Sequence, residues 1–106
     1  MSYTLIVKPE AHADIADQEG HYRQIGEGLA DRFLEAVEQT LKRIVRAPLA
    51  YAVDFMAARK AHVRDFPFLI VFRVEGETVV VFGLFHERRD PELWHARVRD
   101  SVNGNE

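Results

Sequence analysis

The stretch FLIVFRVEGETVVVFGLFHERRDPELW, Phe68 to Trp94, decides the fold. Two runs of β-branched and aromatic residues, Phe68–Val74 and Thr78–His86, flank Glu75-Gly76-Glu77. A short loop containing glycine between two such runs predicts a β-hairpin. Side chains alternate across a strand. In the first run, Phe68, Ile70, Phe72 and Val74 are expected on one face, with Leu69, Val71 and Arg73 on the other. In the second run, Val79, Val81, Gly83 and Phe85 oppose Val80, Phe82, Leu84 and His86. Both faces are therefore apolar, and both need a cover. The second run ends abruptly in His86-Glu87-Arg88-Arg89. Asp90-Pro91-Glu92 then reads as a helix N-cap, a proline at the first helical position and an acid in the first turn. It opens a short helix in which Trp94 and Val98 stand one turn apart.

Working toward the N-terminus, KAHVRDF (Lys60–Phe66) reads as a third strand, separated from the hairpin by Pro67. Ala47–Ala58 is a connection of mixed character. Before it, Leu29, Phe33, Leu34, Val37, Leu41, Ile44 and Val45 recur at helical spacing. This helix stops ahead of Pro48, with Lys42, Arg43 and Arg46 favourably placed at the negative end of its dipole. Gly26 and Gly28 mark a turn. An earlier helix starts at Pro9 and carries Ala11, Ile15 and Tyr22 on one face, with Gly20 expected to make it irregular. Tyr3–Val7 reads as a strand. The predicted fold class is α+β: an N-terminal strand, a two-helix antiparallel hairpin, a three-strand antiparallel meander and a short C-terminal helix. Residues 2–100 form one expected domain, and 101–106 a flexible tail. The helical hairpin covers one sheet face. The other is covered by Tyr51, Phe55, Met56 and Trp94, or by a partner protein.

Bulk composition narrows the function classes. The chain has 106 residues, 47% of them hydrophobic, and no cysteine. This excludes a disulfide framework, a thiolate zinc site and a thiol nucleophile, and accords with the reducing cytoplasm. The opening residues lack the pattern of a secretory signal. No apolar run approaches the ~18 residues of a membrane span. The five histidines are not paired at helical spacing, so no metal site is expected. Fourteen basic against seventeen acidic residues give a net charge of −3, without the basic balance typical of nucleic-acid binders. Positive charge is local, at Arg59, Lys60, Arg64 and Arg73 and then at Arg88 and Arg89.

The first strand followed by PEAHADI, the helix ending LKRIVRAP, and VRDFPFLIVFRVEGETVVVFGLFHERRDPELW together resemble the RelE/ParE toxins of bacterial type II toxin–antitoxin (plasmid stabilisation) systems. The resemblance runs from Tyr3 to Trp94. It rests on the order of several features: a Phe-Pro turn, an aromatic-arginine strand end, an acidic-glycine hairpin and a strand ending His-x-Arg-Arg-Asp-Pro. It implies a cytoplasmic protein bound by a cognate antitoxin in a hetero-oligomer, with no cofactor and no membrane contact. Part of the apolar sheet would be the antitoxin site, through Leu69, Val71, Phe82 and Leu84.

Two modes of action follow from the resemblance, beside a third reading in which the chain is an inactive homologue acting only as a binding module. RelE-like members cut messenger RNA on the ribosome. That chemistry needs a base, an acid and cations for the developing phosphorane charge. Here His86, Arg73 and Arg64 would supply it. ParE-like members bind DNA gyrase. Here Arg88, Arg89 and Trp94 would form the target-binding set. No tyrosine lies near the last strands, Lys60 is solitary and the balance is acidic, so the sequence stands closer to ParE. Plainer roles compete: surface ion pairs of Arg88 and Arg89 with Glu87, Asp90 or Glu92, a structural His86 whose ring bonds a backbone carbonyl, and Trp94 as a core plug. Arg73, a lone charge in an apolar strand, needs a carboxylate, an exposed edge or an anionic ligand.

Overall fold

The computed structural model describes residues 2–103. Strand β1 (Thr4–Val7) leads to helices α1 (Pro9–Ile25) and α2 (Glu27–Arg46). Strands β2 (Arg59–His62), β3 (Phe68–Glu75) and β4 (Thr78–His86) follow, then helix α3 (Glu92–Asn103). The sheet order is β1-β4-β3-β2. The meander is antiparallel, while β1 adds to β4 in parallel, so the α1–α2 hairpin, β2 and β3 intervene in sequence between two neighbouring strands.

Pro9 occupies the first turn of α1, and Glu10 lies beside the positive end of its dipole. The helix runs through Gly20 without a break, because its inward side chains are held against α2. Tyr22 meets Phe33 of α2 at a ring-centroid distance of 5.2 Å. Gly26 alone separates the two helices. On α2 the fully buried positions are Ala30, Phe33, Val37, Thr40 and Ile44. Thr40 is tolerated inside because its hydroxyl donates to the Ala36 carbonyl at 2.8 Å.

Strand β2 is shorter than the sequence suggests. The chain turns at Val63–Phe66, where Asp65 takes a φ of +71°. Pro67 has no amide to donate, and an aspartate tolerates the left-handed region better than most residues. At the hairpin, Glu75 pairs with Thr78, so the loop is Gly76-Glu77. Gly76 has a φ of +65°, which a residue without Cβ adopts freely. The connection before β2 contains two 3₁₀ turns, Pro48–Ala50 and Phe55–Ala57.

A β-bulge corrects the alternation. Val71 pairs with Gly83 but Phe72 pairs with Val81, which leaves Phe82 as the extra residue of β4. Beyond it every side chain of β4 changes face. Leu84 joins Phe68, Ile70, Phe72, Val79 and Val81 in the core beneath the helical hairpin. Val71 and Phe82 join Ala58, Trp94 and Val98 in a second core, flanked by Phe55, Val80 and Phe85. Helix α3 therefore covers the second face, together with Phe55. Tyr51 packs against Phe72 on the hairpin side instead, and Met56 is exposed. The helix continues through Ser101 and Val102 to Asn103, into the expected tail; residues 104–106 lie outside the described residues.

Candidate functional site

The strand end presents His86 in the last position of β4, opposite Phe68. The bulge turns its ring to the helix-hairpin side, edge-on to Phe68 at 5.5 Å. His86 Nδ1 accepts a hydrogen bond from the Arg88 amide at 3.1 Å, so in the neutral ring the proton sits on Nε2. The backbone is thus its partner, through an amide and not a carbonyl. The Glu87 amide donates to the Pro67 carbonyl at 2.9 Å, which ties the strand end to the Phe-Pro turn. The Asp90 carboxylate then accepts from the Glu92 amide at 3.0 Å, the N-cap bond predicted from sequence.

Surface ion pairing bypasses both rim arginines. Glu87 is engaged by His62 at 3.1 Å. Glu92 is engaged by Arg99 at 3.1 Å and by His95 at 3.8 Å. Asp90 is the cap. Arg88 and Arg89 are exposed and form no ion pair among the described residues. The expected pairing of at least one of them is corrected, because their neighbouring carboxylates have other partners.

The three residues that nuclease chemistry would require lie apart. Register places Arg73 opposite Val80 and His86 opposite Phe68, five residues along β3. At ~3.4 Å per residue that is roughly 17 Å. They also face opposite sides: Phe72 and Val74 flank Arg73 and pack in the hairpin-side core, so Arg73 points the other way. Its Nε is buried without a hydrogen-bond partner, and among the described residues it forms no ion pair. Arg64 lies in the β2–β3 turn and lines a groove with Arg32 and Arg43 of α2.

Trp94 is only 4% exposed and sits beneath Lys60, whose ammonium lies 5.5 Å from its ring centroid. It serves the core and presents no surface to a target. Of the four expected antitoxin residues, Val71, Phe82 and Leu84 are buried within the chain and Leu69 is half-buried. Leu84 moreover lies on the face opposite Phe82, because of the bulge. The exposed apolar side chains are elsewhere, among them Leu5 and Ile6 on the edge strand β1.

Two features escape the sequence reading. One is a polar node beneath α3. Asp14 Oδ2 accepts from the Leu84 amide at 3.0 Å and from Arg97 Nη1 at 2.9 Å. Arg97 also donates to the Phe82 carbonyl at 3.1 Å, and its guanidinium lies 4.9 Å from the Phe85 ring centroid. The node satisfies backbone groups that the bulge frees and ties α1, β4 and α3 together. The other is a cavity of about 330 Å³ beside the strand end, to which α1 contributes Gln18, His21 and Tyr22, and the strand end His86 and Arg89. Burial raises the Tyr22 phenol above its ordinary range, so its hydroxyl stays protonated. A signal for both existed: Asp14 and Gln18 stand at helical spacing with Ala11, Ile15 and Tyr22, polar residues on an inward stripe. Gly83 inside an apolar strand was the corresponding signal for the bulge.

Comparison with known proteins agrees with this fold. No curated protein matches the chain in sequence. A chromosomal ParDE toxin–antitoxin structure from P. aeruginosa matches with a TM-score of 0.71 at 20% identity, covering 80% of this chain and 96% of that one. The E. coli toxin RelE, an arginine double mutant in the free state, matches with a TM-score of 0.63 at 15% identity, covering 95% and 99%. At such identities these two likenesses establish the shared fold. The family described as the ParE toxin of the type II toxin–antitoxin system parDE matches residues 5–91. Over most of its length, then, the chain is a member of the ParE toxin family.

Proposed function

We propose that the protein is a toxin that acts by binding its target, DNA gyrase or a related enzyme, through the Arg88–Arg89 rim, and that a cognate antitoxin neutralises it. The observation that carries this reading is the contrast at the strand end. Two exposed arginines have no carboxylate partner among the described residues, while His86, Arg64 and Arg73 occupy three separate places. Free guanidinium groups suit an acidic protein surface and require no proton transfer. The antitoxin contact moves to the free side chains of β1, since Leu5 and Ile6 are 37% and 48% exposed while the inner sheet residues are covered.

Induction in cells tests the target. The expected result is DNA-damage signalling and filamentation before translation falls. Charge reversal, Arg88→Glu with Arg89→Glu, reduces toxicity, and His86→Ala retains most of it. General acid–base groups are typically worth about 10²–10⁴ in rate, so loss of the effect in His86→Ala alone would favour ribosomal messenger RNA cleavage. Arrest of translation first, with codon-phased cuts, would overturn the gyrase reading. Co-expression with the product of the neighbouring gene raises solubility, and Leu5→Lys abolishes that gain.

A further inference from the structure

The two edges of the sheet are built differently. Strand β2 closes one edge with Arg59, Lys60 and His62, and the segment before it adds a bridge from Val53 to Arg59. Charged side chains blunt an edge against further strands. Strand β1 closes the other edge with Thr4, Leu5, Ile6 and Val7, which include no charge and no proline and pair with β4 in unbroken register. Among the described residues no strand borders its outer side. Its backbone groups have a fixed direction. The Thr4 amide donates to the Glu77 carbonyl at 2.9 Å, and the Lys8 amide to the Val81 carbonyl at 3.0 Å. Alternate residues of a strand turn their N–H and C=O groups to the same edge. Thr4, Ile6 and Lys8 therefore face β4, while Leu5 and Val7 present theirs outward. The Leu5 side chain, 37% exposed, lies in a groove of about 450 Å³ with Leu41 and Val45 of α2, rimmed by the ion pair of Glu38 and Lys42.

We infer that a second copy of this chain docks at this edge, with its β1 antiparallel to the first about a two-fold axis at Leu5, so that the two sheets join into one. The segment that pairs here has to be extended, uncharged and aliphatic, and β1 is itself such a segment. A two-fold contact must be self-complementary. Opposed residues of antiparallel strands share a face, so in this register Leu5 meets Leu5 and Thr4 meets Ile6. The outward N–H and C=O of each Leu5 bond those of the other, and the two side chains close the groove beside Leu41 and Val45. The charges at the strand ends select the direction. Lys8 follows β1, and Glu77 lies beside its start through the Thr4 bond. Antiparallel pairing brings Lys8 of each copy toward Glu77 of the other, whereas parallel pairing would set like charges together. One short strand and one groove from each copy make an interface smaller than that of a permanent dimer. The Kd is therefore expected at about 10–100 μM. Self-pairing covers an edge that would otherwise template aggregation, and it competes with the antitoxin contact proposed for Leu5 and Ile6. The inference rests on the edge alone and does not depend on the toxin reading.

Sedimentation velocity of the full chain, at concentrations below and above that range, is expected to show a monomer passing into a dimer. Leu5→Pro removes an outward amide that β4 does not use, and proline is tolerated on an edge strand whose N–H faces solvent. It is expected to weaken the dimer at least about tenfold with little change in melting temperature. A second variant reads the same contact through a side chain. The chain has no cysteine, and the two Leu5 Cα atoms would lie ~5.5 Å apart. Leu5→Cys should therefore cross-link with a short bismaleimide several-fold faster than Leu49→Cys, whose parent side chain is 60% exposed elsewhere. Glu77→Lys weakens the dimer, and adding Lys8→Glu restores it. A monomer at every concentration, equal cross-linking of the two cysteine variants, or a dimer unchanged by Leu5→Pro in a folded chain would overturn the inference. A dimer indifferent to Glu77→Lys would overturn the antiparallel pairing. The functional proposal fails separately. If the lone chain stays monomeric while the neighbouring gene's product binds it, only the inference fails. If the dimer forms and that product does not bind, only the antitoxin reading fails.

Discussion

Arg97 in α3 and the Arg88–Arg89 pair in the turn before that helix are used in opposite ways. Arg97 is committed on every side, to Asp14, to the Phe82 carbonyl and to the Phe85 ring. Arg88 and Arg89 form no ion pair among the described residues. The first arginine closes a fold, and the other two leave charge available to a partner. Position relative to the bulge explains the difference. The bulge exposes backbone groups that must be satisfied inside the protein, whereas the turn beyond β4 is already satisfied by its own backbone bonds and the Asp90 cap.

The contrast can be broken from the node first. Asp14→Ala leaves the Leu84 amide unsatisfied and Arg97 uncompensated where the side chains are 21% and 29% exposed. The expected loss is about 2–3 kcal/mol, read from denaturant unfolding. A loss under half of that would mean that water replaces the carboxylate and the node is not structural. Gly83→Ala attacks the same place by volume. An added Cβ would lie 2.6 Å from Arg97 Nη1, 2.7 Å from the Phe85 ring and 2.8 Å from Asp14 Oδ2. Those side chains hold one another, so a cost of about 1–3 kcal/mol is expected. A double variant with Asp14→Ala should cost less than the sum, because both changes disrupt one unit.

Arg73 sharpens the contrast from the other side. Its buried Nε has no partner, so Arg73→Met removes a desolvation cost while keeping an unbranched apolar stem. Stability should stay constant or rise by up to about 1 kcal/mol, and a clear drop would reveal a bond to the rest of the guanidinium. Smaller still is the pair of Lys60 with Asp54, 3.0 Å apart and more than a third exposed on both sides. The hydrogen bond from Lys60 holds the Asp54 carboxyl below its ordinary range. A depressed folded pKa stabilises above the unfolded value and loses that contribution as pH falls through the folded one. Asp54→Asn should therefore cost under about 1 kcal/mol at neutral pH, with the gap to the parent closing in strong acid. A gap that persists there would assign the effect to packing. Finally, Arg88→Glu with Arg89→Glu should change stability within about 0.5 kcal/mol for each site. A large melt shift would place these arginines with Arg97 as structural groups.

The order of elements, the helical hairpin, the meander, the glycine loop and the Asp90 cap were all legible in the sequence. Each depends on local rules: periodicity, the φ a glycine permits, or a side chain bonded two residues away. His86 and the rim arginines could likewise be singled out, since a cluster of polar residues closing an apolar strand is a local signal. Their mutual geometry could not. Alternation was read correctly up to Phe82 and failed after it, because one unpaired residue reverses every later side chain. That reversal puts Leu84 in the hairpin-side core and His86 beside α1.

The sequence by itself determined an α+β chain with two apolar sheet faces and a cationic strand end. Only the tertiary structure decided what covers the second face, and it is α3 with Phe55 rather than a bare surface left to a partner. It alone separated Arg64, Arg73 and His86, and brought His21 and Gln18 to the strand end from more than sixty positions away in the sequence. The physical reason is that hydrogen-bond register, bulges and long-range ion pairs are settled between segments. A pattern within one segment records which residues want burial or charge, but not which neighbour will supply it.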